Sequence, residues 1–154
     1  MPDAARDLYF EDYTPGLVIE FGSYPVSADE IIAFARLYDP QFFHTDPEAA
    51  KQSIFGGLVA SGWHVGSMTM RMIVDERISG PSALASAGME ELRFLKPVRP
   101  GDALRARLTV LDAKPSASKP DRGVVRQRVE TLNQAGEVVM SAVHFVLYRK
   151  RAAG

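Results

Sequence analysis

The feature that most constrains the fold is a long, nearly uninterrupted apolar segment that follows a glycine pair. After Gly56 and Gly57, the residues from Val59 to about Ile78 predict the longest helix of the chain. This segment carries apolar or small side chains on most of its sides. A helix without a broad polar face has to be surrounded by other structure. The sequence therefore predicts a central helix that the rest of the chain buries.

Segments that alternate apolar and polar residues predict the structure around this helix. One of them, Leu17 to Val26, precedes the helix, and four follow it: Leu92 to Val98, Leu104 to Leu111, Val124 to Leu132 and Val138 to Tyr148. A sheet with one apolar face can bury a single helix by curling round it. The fold class we expect is α+β, with an antiparallel sheet of about five strands wrapped round a long central helix.

Two further helices and one loop complete the expected layout. Ser27 and Glu30 match the reciprocal capping pattern of a helix start, and that helix should run to about Leu37. Pro47 opens a short helix that should end near Gln52, because a proline fits the first position of a helix. The segment from Lys114 to Gly123 is rich in proline, serine and charge, which predicts an exposed loop. We expect residues 1–154 to form a single domain, with flexible ends at residues 1–12 and 149–154.

Composition excludes several classes of function. The 154 residues include no cysteine, which rules out disulfides, thiolate nucleophiles and thiolate metal sites. The net charge of −1 argues against nucleic-acid binding. No apolar run is long enough to span a membrane and the first residues do not resemble a signal peptide, so we expect a cytoplasmic location. The three histidines lack a metal-ligand spacing, and we expect no metal site.

The candidate catalytic residues lie just before the central helix. Asp39 and His44 are five residues apart, and Pro40 favours an extended or turning backbone at Asp39. A carboxylate and an imidazole can share proton transfer on a water molecule, while N–H groups at a helix start, near Ser61 and Gly62, can stabilise charge on a carbonyl oxygen. This combination indicates addition or removal of water beside a carbonyl. The alternative is a turn-forming aspartate and a packed histidine.

Several neighbouring residues are candidates for the lining of the same pocket. These are Phe42, Phe43, Gly57, Ser61 and His64. His64 lies two residues past Gly62 on the central helix, so it either touches the pocket or is a packed histidine bonded to a backbone group. We expect His144, in the last strand, to be structural.

Three blocks of the sequence together resemble one protein family. Tyr38-Asp39-Pro40-Gln41-Phe42-Phe43-His44-Thr45-Asp46, Phe55-Gly56-Gly57-Leu58-Val59-Ala60-Ser61-Gly62 and Arg93-Phe94-Leu95-Lys96-Pro97-Val98-Arg99-Pro100-Gly101-Asp102 are similar to the motifs of the MaoC-like dehydratases, which include the R-specific enoyl-CoA hydratases. The resemblance covers most of the chain from Ser27 to Tyr148. Two positions depart from the family motif, since Gln41 and Phe42 stand where asparagine and proline are usual.

The resemblance implies a hot-dog fold and a hydro-lyase. It implies reversible hydration of a trans-2-enoyl-CoA to an (R)-3-hydroxyacyl-CoA, with Asp39 and His44 activating water and the backbone N–H of Gly62 binding the thioester carbonyl. No cofactor is expected beyond the CoA thioester, which is the substrate. The expected partners are this small molecule and a second copy of the chain, as a homodimer or dimer of dimers, without nucleic acid or membrane.

Two other activities fit the same fold. One is an acyl-CoA thioesterase, in which an acid would activate water against the thioester carbon itself. The other is a non-catalytic module that binds acyl thioesters. The Asp39 and His44 spacing together with the glycine block favours hydration, because a binding module does not need a proton-transfer pair.

Overall fold

The computed structural model describes residues 7–78 and 80–152. Helices are α1 (Ala28–Tyr38), α2 (Phe42–Thr45), α3 (Pro47–Ala50) and α4 (Gly62–Asp75), with short 3-10 helices at Phe10–Asp12 and Gly80–Ser82. Strands are β1 (Val18–Pro25), β2 (Ala83–Phe94), β3 (Ala103–Pro115), β4 (Arg122–Leu132) and β5 (Val138–Arg149). None of the helices in the described ranges is both long and apolar enough to cross a lipid bilayer.

The five strands form one antiparallel sheet in the order β1-β3-β4-β5-β2. In β3 the side chains of Ala106, Leu108 and Val110 are buried and alternate with more exposed neighbours, as the sequence pattern predicted. The edge strands are β1 and β2. The predicted α+β class with a five-stranded antiparallel sheet is therefore confirmed.

Helix α4 packs against the sheet through one face. The hydroxyl groups of Thr69 on α4 and Thr131 on β4 are 2.6 Å apart and share a hydrogen bond. Gly22 on β1 has a φ of +87°, and a Cβ atom there would lie only 2.5 Å from the Met72 sulfur, so the close approach of helix and strand requires glycine. Met68 is buried in the same core.

The prediction for α4 was wrong in two respects. The helix begins at Gly62 and not at Val59, because the N–H groups of Val59 and Ala60 donate instead to the carbonyl groups of Phe43 and Val98. The helix is also not enclosed on most sides. Trp63 and two further apolar side chains of the helix are exposed to between about half and two thirds of their surface: Trp63 at 61%, Met70 at 48% and Val74 at 57%.

Helix α1 has one half of its predicted reciprocal cap, since the Glu30 side chain bonds to the Tyr24 hydroxyl, and the helix delivers Asp39 to the site. The hydroxyl oxygen of Ser27 accepts a hydrogen bond from the N–H of Glu30 at 3.1 Å. Ile31 and Ala35 are buried on the inner face of the helix. The helix ends at Tyr38, so Asp39 becomes its C-terminal cap with a non-helical backbone.

Several element boundaries differ from the sequence prediction. Strand β2 spans Ala83–Phe94, whereas the sequence indicated Leu92 to Val98. Its alternation is interrupted by register shifts and by the positive φ of Glu91, so the pattern did not reveal most of the strand. The predicted loop from Lys114 to Gly123 is shorter, since β3 extends to Pro115 and β4 starts at Arg122. The short helix α3 ends at Ala50 and not near Gln52, and no sequence pattern indicated α2.

The described parts of the two chain ends pack against the sheet and each other. Phe10 is buried against Gly123 of β4. Arg151 forms an ion pair with Asp12 at 2.6 Å. Flexible ends were expected at residues 1–12 and 149–154. Of these, residues 7–12 and 149–152 are described and include the contacts above. Residues 1–6 and 153–154 lie outside the described part of the chain. The flexibility of both ends stays a prediction.

Candidate active site

The carboxylate of Asp39 is held by side chains from three segments. The Nε2 group of Gln41 donates to Oδ1 at 2.7 Å, and the hydroxyl of Ser61 donates to Oδ2 at 2.7 Å. The Nε2 atom of His44 lies 3.3 Å from the same Oδ2. These contacts fix the carboxylate between the end of α1 and the start of α4.

The environment of Asp39 favours its ionised form. Burial raises the pKa of this carboxyl group, but the hydrogen bonds from Gln41 and Ser61, together with the nearby His44, lower it more. The net pKa of Asp39 lies below its usual value. Asp39 is therefore a carboxylate at neutral pH and can accept a proton or a hydrogen bond.

The hydrogen-bond partner of the His44 Nδ1 atom shows that this nitrogen is a donor. His44 is buried in α2, and its Nδ1 lies 2.6 Å from the carbonyl oxygen of Val59. A carbonyl oxygen only accepts, so Nδ1 carries a hydrogen. In the neutral imidazole, Nε2 is then an acceptor and faces the Asp39 carboxylate, which is also an acceptor. A donor such as water bridges two such groups favourably.

Gly62 is the first residue of α4 and presents its N–H group at the start of the helix. The hydroxyl of the N-cap residue Ser61 donates to Asp39 and accepts no bond from the helix backbone. Within the described residues, the Gly62 N–H donates no hydrogen bond. A free N–H at a helix start stabilises negative charge, so this group can bind a carbonyl oxygen that becomes an oxyanion.

His44 and Gly62 face a common space, which we call the catalytic cavity. It has a volume of about 360 Å³, and its wall is mostly apolar and aromatic. Phe43, Phe55, Val65 and Phe94 line it beside His44 and Gly62. An apolar wall with a few polar groups is typical of small-molecule sites.

The structure brings together some of the residues expected in the pocket. Asp39, His44, Ser61 and Gly62 form one connected group, and Phe43 lines the catalytic cavity.

Two of the expected pocket residues, Phe42 and Gly57, lie outside the catalytic cavity. Phe42 is half-exposed and packs edge-on against Phe43, and Gly57 lies beside the Arg99 side chain.

His64 was a candidate for the same pocket but faces a different part of the molecule. It is buried between α4 and α1, where its ring stacks on Phe34 at 4.7 Å. Its Nε2 lies 3.5 Å from a carboxylate oxygen of Glu30, and neither ring nitrogen forms a hydrogen bond with the described residues. Burial lowers the pKa of His64. A bond from this ring to a backbone group, which was one of the two expectations for His64, is absent among the described residues.

Sequence reasoning missed three contributions to the site. Gln41 drew attention only as a departure from the family motif, although its amide holds Asp39. The carbonyl of Val59, which fixes the His44 tautomer, carries no side-chain signal at all. Phe94 belongs to a quoted motif, but only the tertiary structure places its ring against Gly62.

Comparisons with known proteins agree with this fold. The family model described as "MaoC like domain" matches residues 12–133. A crystal structure of the MaoC-like dehydratase from Rhodospirillum rubrum is 44% identical, has a TM-score of 0.87 and covers 95% of this chain and 99% of its own. The uncharacterized protein YdeM of Bacillus subtilis is 31% identical over 140 residues, which is 91% of this chain and 98% of YdeM.

A third relative is similar over a shorter stretch. The mesaconyl-CoA hydratase of Cereibacter sphaeroides is 49% identical over 70 residues, which is 46% of this chain and 20% of that protein. This chain thus spans only a small part of that relative.

The fold and the site together define a hot-dog protein with a carboxylate and an imidazole at the start of its central helix. The chain belongs to the MaoC-like dehydratase family. Membership of this family supports a hydratase or dehydratase activity on acyl thioesters.

Substitutions of the two donors should raise the pKa of Asp39. In Ser61→Ala and in Gln41→Ala, the carboxylate loses a hydrogen bond that favours its charged form, so it should become protonated at a higher pH than in the unmodified protein. NMR titration of the labelled Asp39 carboxyl carbon measures this directly.

Ser53→Ala is the matched control for these titrations. It removes a hydroxyl group that contacts only the backbone, at Ala50 and Phe55, and should leave the Asp39 titration unchanged. An Asp39 titration that does not move in either donor variant would contradict the assigned hydrogen bonds.

Proposed function

We propose that the protein catalyses the reversible hydration of a trans-2-enoyl-CoA to an (R)-3-hydroxyacyl-CoA. The proposal is supported by the pairing of a carboxylate with an imidazole nitrogen, which is an acceptor in the neutral ring, beside a free donor. The Nε2 of His44 and the Oδ2 of Asp39 are 3.3 Å apart, and the N–H of Gly62 lines the same cavity as His44. A water molecule that donates to both acceptors is oriented for attack on a neighbouring double bond.

The proposed reaction uses these groups in one sequence. Asp39 takes a proton from the water while the water oxygen bonds to the β-carbon of the enoyl thioester, and His44 keeps the water in place. The electron pair of the double bond moves toward the thioester oxygen, where the Gly62 N–H donates to the developing charge. The proton that Asp39 took from the water then passes to the α-carbon from the same face. This step gives a syn addition and restores the Asp39 carboxylate.

The substrate class follows from the family and the chemistry. A thioester carbonyl conjugated to a double bond is the acceptor that this arrangement of donor and acceptors suits. The relative named mesaconyl-CoA hydratase supports CoA as the thioester partner. We propose that the CoA thioester is the substrate and that no further cofactor takes part, because the pair and the N–H supply the proton transfer and the charge stabilisation.

Substitutions in the pair should remove activity without unfolding the protein. When the protein is incubated with crotonyl-CoA, the ultraviolet absorbance of the conjugated double bond should fall, and no free thiol should be released. Asp39→Asn and His44→Ala should each lower turnover about a hundredfold or more, because the first removes the base that takes the proton and the second removes the nitrogen that holds the water. Thermal melting of each variant measures stability, which should change little.

Asp46→Asn is the matched control for the aspartate. Asp46 caps α3 by accepting hydrogen bonds from Glu48 and Ala49, and asparagine caps as well, so activity should stay near that of the unmodified protein. Release of thiol while the double bond persists would indicate a thioesterase and overturn the hydratase assignment. Loss of stability in both pair variants, with no turnover by the unmodified protein, would indicate a structural pair.

We also propose that the protein is a homodimer. Strand β2 is an edge strand, whose backbone groups can pair with another strand. Large apolar side chains on or near this edge are about half-exposed, including Met89 at 53%, Phe94 at 52% and Leu95 at 52%. Trp63 on α4 extends the same apolar surface, since it packs edge-on against Phe94. A second copy would bury this surface and complete the pockets beside it.

Light scattering should give at least twice the mass of one chain, which is 16.9 kDa. Met89→Lys should lower that mass, since it places a charge in the proposed interface. Val18→Lys is the matched control, because Val18 is a similarly exposed residue of the opposite edge strand, at 46%. A monomeric mass for the unmodified protein, or equal effects of the two substitutions, would count against a dimer through β2.

A further inference from the structure

A second cavity lies on the other side of Phe94 from His44. This apolar cavity has a volume of about 210 Å³ between α4, β2 and β5. Its walls include Met70, Ile73, Met89, Leu92, Met140 and His144. Methionine side chains adapt to ligands of different shape, so such a wall suits a hydrocarbon chain.

The polar groups of the apolar cavity are few, and most are already bonded. The hydroxyl groups of Ser67 and Thr69 donate to the carbonyl oxygens of Trp63 and Val65 within α4. Burial lowers the pKa of His144, which keeps its ring uncharged at neutral pH. The cavity therefore offers a hydrocarbon chain a nearly uncharged surface and offers little to a charged group.

Phe94 separates the apolar cavity from the catalytic cavity. Gly62 and Phe94 are the two described residues that line both. The tip of the Phe94 ring lies against Gly62, so close that a Cβ atom on Gly62 would be 2.5 Å from the ring. The ring thus covers the point at which the two cavities meet, beside the N–H group proposed to bind the thioester.

The ring is in a position to move. Phe94 is the last residue of β2. Its aromatic neighbour is Trp63, with the ring centres 6.3 Å apart. The ring is not among the side chains of the buried core, where close packing holds a ring in place. A turn of this ring away from Gly62 would connect the cavities without disturbing the core.

We propose that Phe94 determines acyl-chain specificity by closing the passage from the catalytic cavity to the apolar cavity. The inference rests on the proposed function and adds the property that selects the substrate. With the ring against Gly62, a short acyl group fits beside His44, and a longer chain has to displace the ring to reach the space lined by methionines. The preferred substrates are therefore short-chain enoyl thioesters.

Phe94→Ala should shift the preference toward longer chains. The ratio of kcat/KM for trans-2-octenoyl-CoA to that for crotonyl-CoA should rise about tenfold or more, because each methylene group moved from water to apolar surroundings changes an equilibrium by about fourfold. Gly66→Leu tests where the longer chain goes. Gly66 lines the apolar cavity, and a Cβ atom there would meet only the Met140 sulfur, at 4.0 Å. Phe94→Ala/Gly66→Leu should return the ratio toward that of the unmodified protein.

Val18→Ala is the matched control, since it shortens a half-exposed apolar side chain on the opposite edge of the sheet and should leave the ratio unchanged. An unchanged ratio in Phe94→Ala would overturn the proposal. A raised ratio that Gly66→Leu does not reverse would overturn it as well, because the longer chain would then lie elsewhere.

Binding of saturated thioesters separates this inference from the proposed function. Calorimetry with butyryl-CoA and octanoyl-CoA needs no turnover. Octanoyl-CoA should gain about tenfold or more in affinity over butyryl-CoA when Phe94 is replaced by alanine. If the affinity rises in this way but the protein hydrates no enoyl-CoA, the proposed role of Phe94 is supported and the proposed hydratase function is wrong. If Phe94→Ala binds both ligands equally well, or binds neither, the proposed role of Phe94 is wrong, whether or not the protein hydrates enoyl-CoA.

Discussion

The hydrogen bond from the Ser61 hydroxyl to the Asp39 carboxylate is the contact on which the site depends. It joins the end of α1 to the start of α4 over a separation of 22 residues, at 2.7 Å. A serine at this position normally caps its own helix, a contact worth about 0.5–2 kcal/mol. Here the hydroxyl group donates to a carboxylate and accepts no bond from the helix, and the Gly62 N–H has no protein acceptor among the described residues. The serine thus positions the acid beside a helix start whose first N–H group is open to a ligand.

The sheet makes this arrangement possible by holding α4 along one face only. Gly22 on β1 lets Met72 of the helix approach the strand closely, and Thr69 bonds to β4. The start of the helix is fixed in turn by the extended residues Val59 and Ala60, which bond to the backbone before and after it in the chain. The opposite face of α4 stays open, and there the two cavities meet at Phe94. The same packing therefore fixes the proposed catalytic group and leaves an apolar surface open beside it.

Features set by local rules could be predicted from the sequence. The capping pair Ser27 and Glu30 located α1, and the alternation around Leu108 located β3. The spacing of Asp39 and His44 indicated that they lie together, and the 3.3 Å contact between their side chains agrees with that expectation.

Features set by distant contacts could not be predicted in this way. The start of α4 depends on hydrogen bonds to Phe43 and Val98, which lie in other segments. The position of Phe94 depends on the register of β2, which shifts between Glu90 and Arg93. The direction of His64 follows from the rotation of α4 against α1, and periodicity alone does not fix that rotation.

The proposed mechanism requires the Asp39 and His44 side chains and the Gly62 N–H to act on one bound molecule. A crystal structure with a bound (R)-3-hydroxyacyl-CoA would show whether they do. We expect the 3-hydroxyl oxygen within about 3 Å of both the Asp39 carboxylate and the His44 Nε2, and the thioester oxygen at the same distance from the Gly62 nitrogen. A hydroxyl group that contacts neither side chain, or a thioester bound away from the start of α4, would contradict the proposed mechanism.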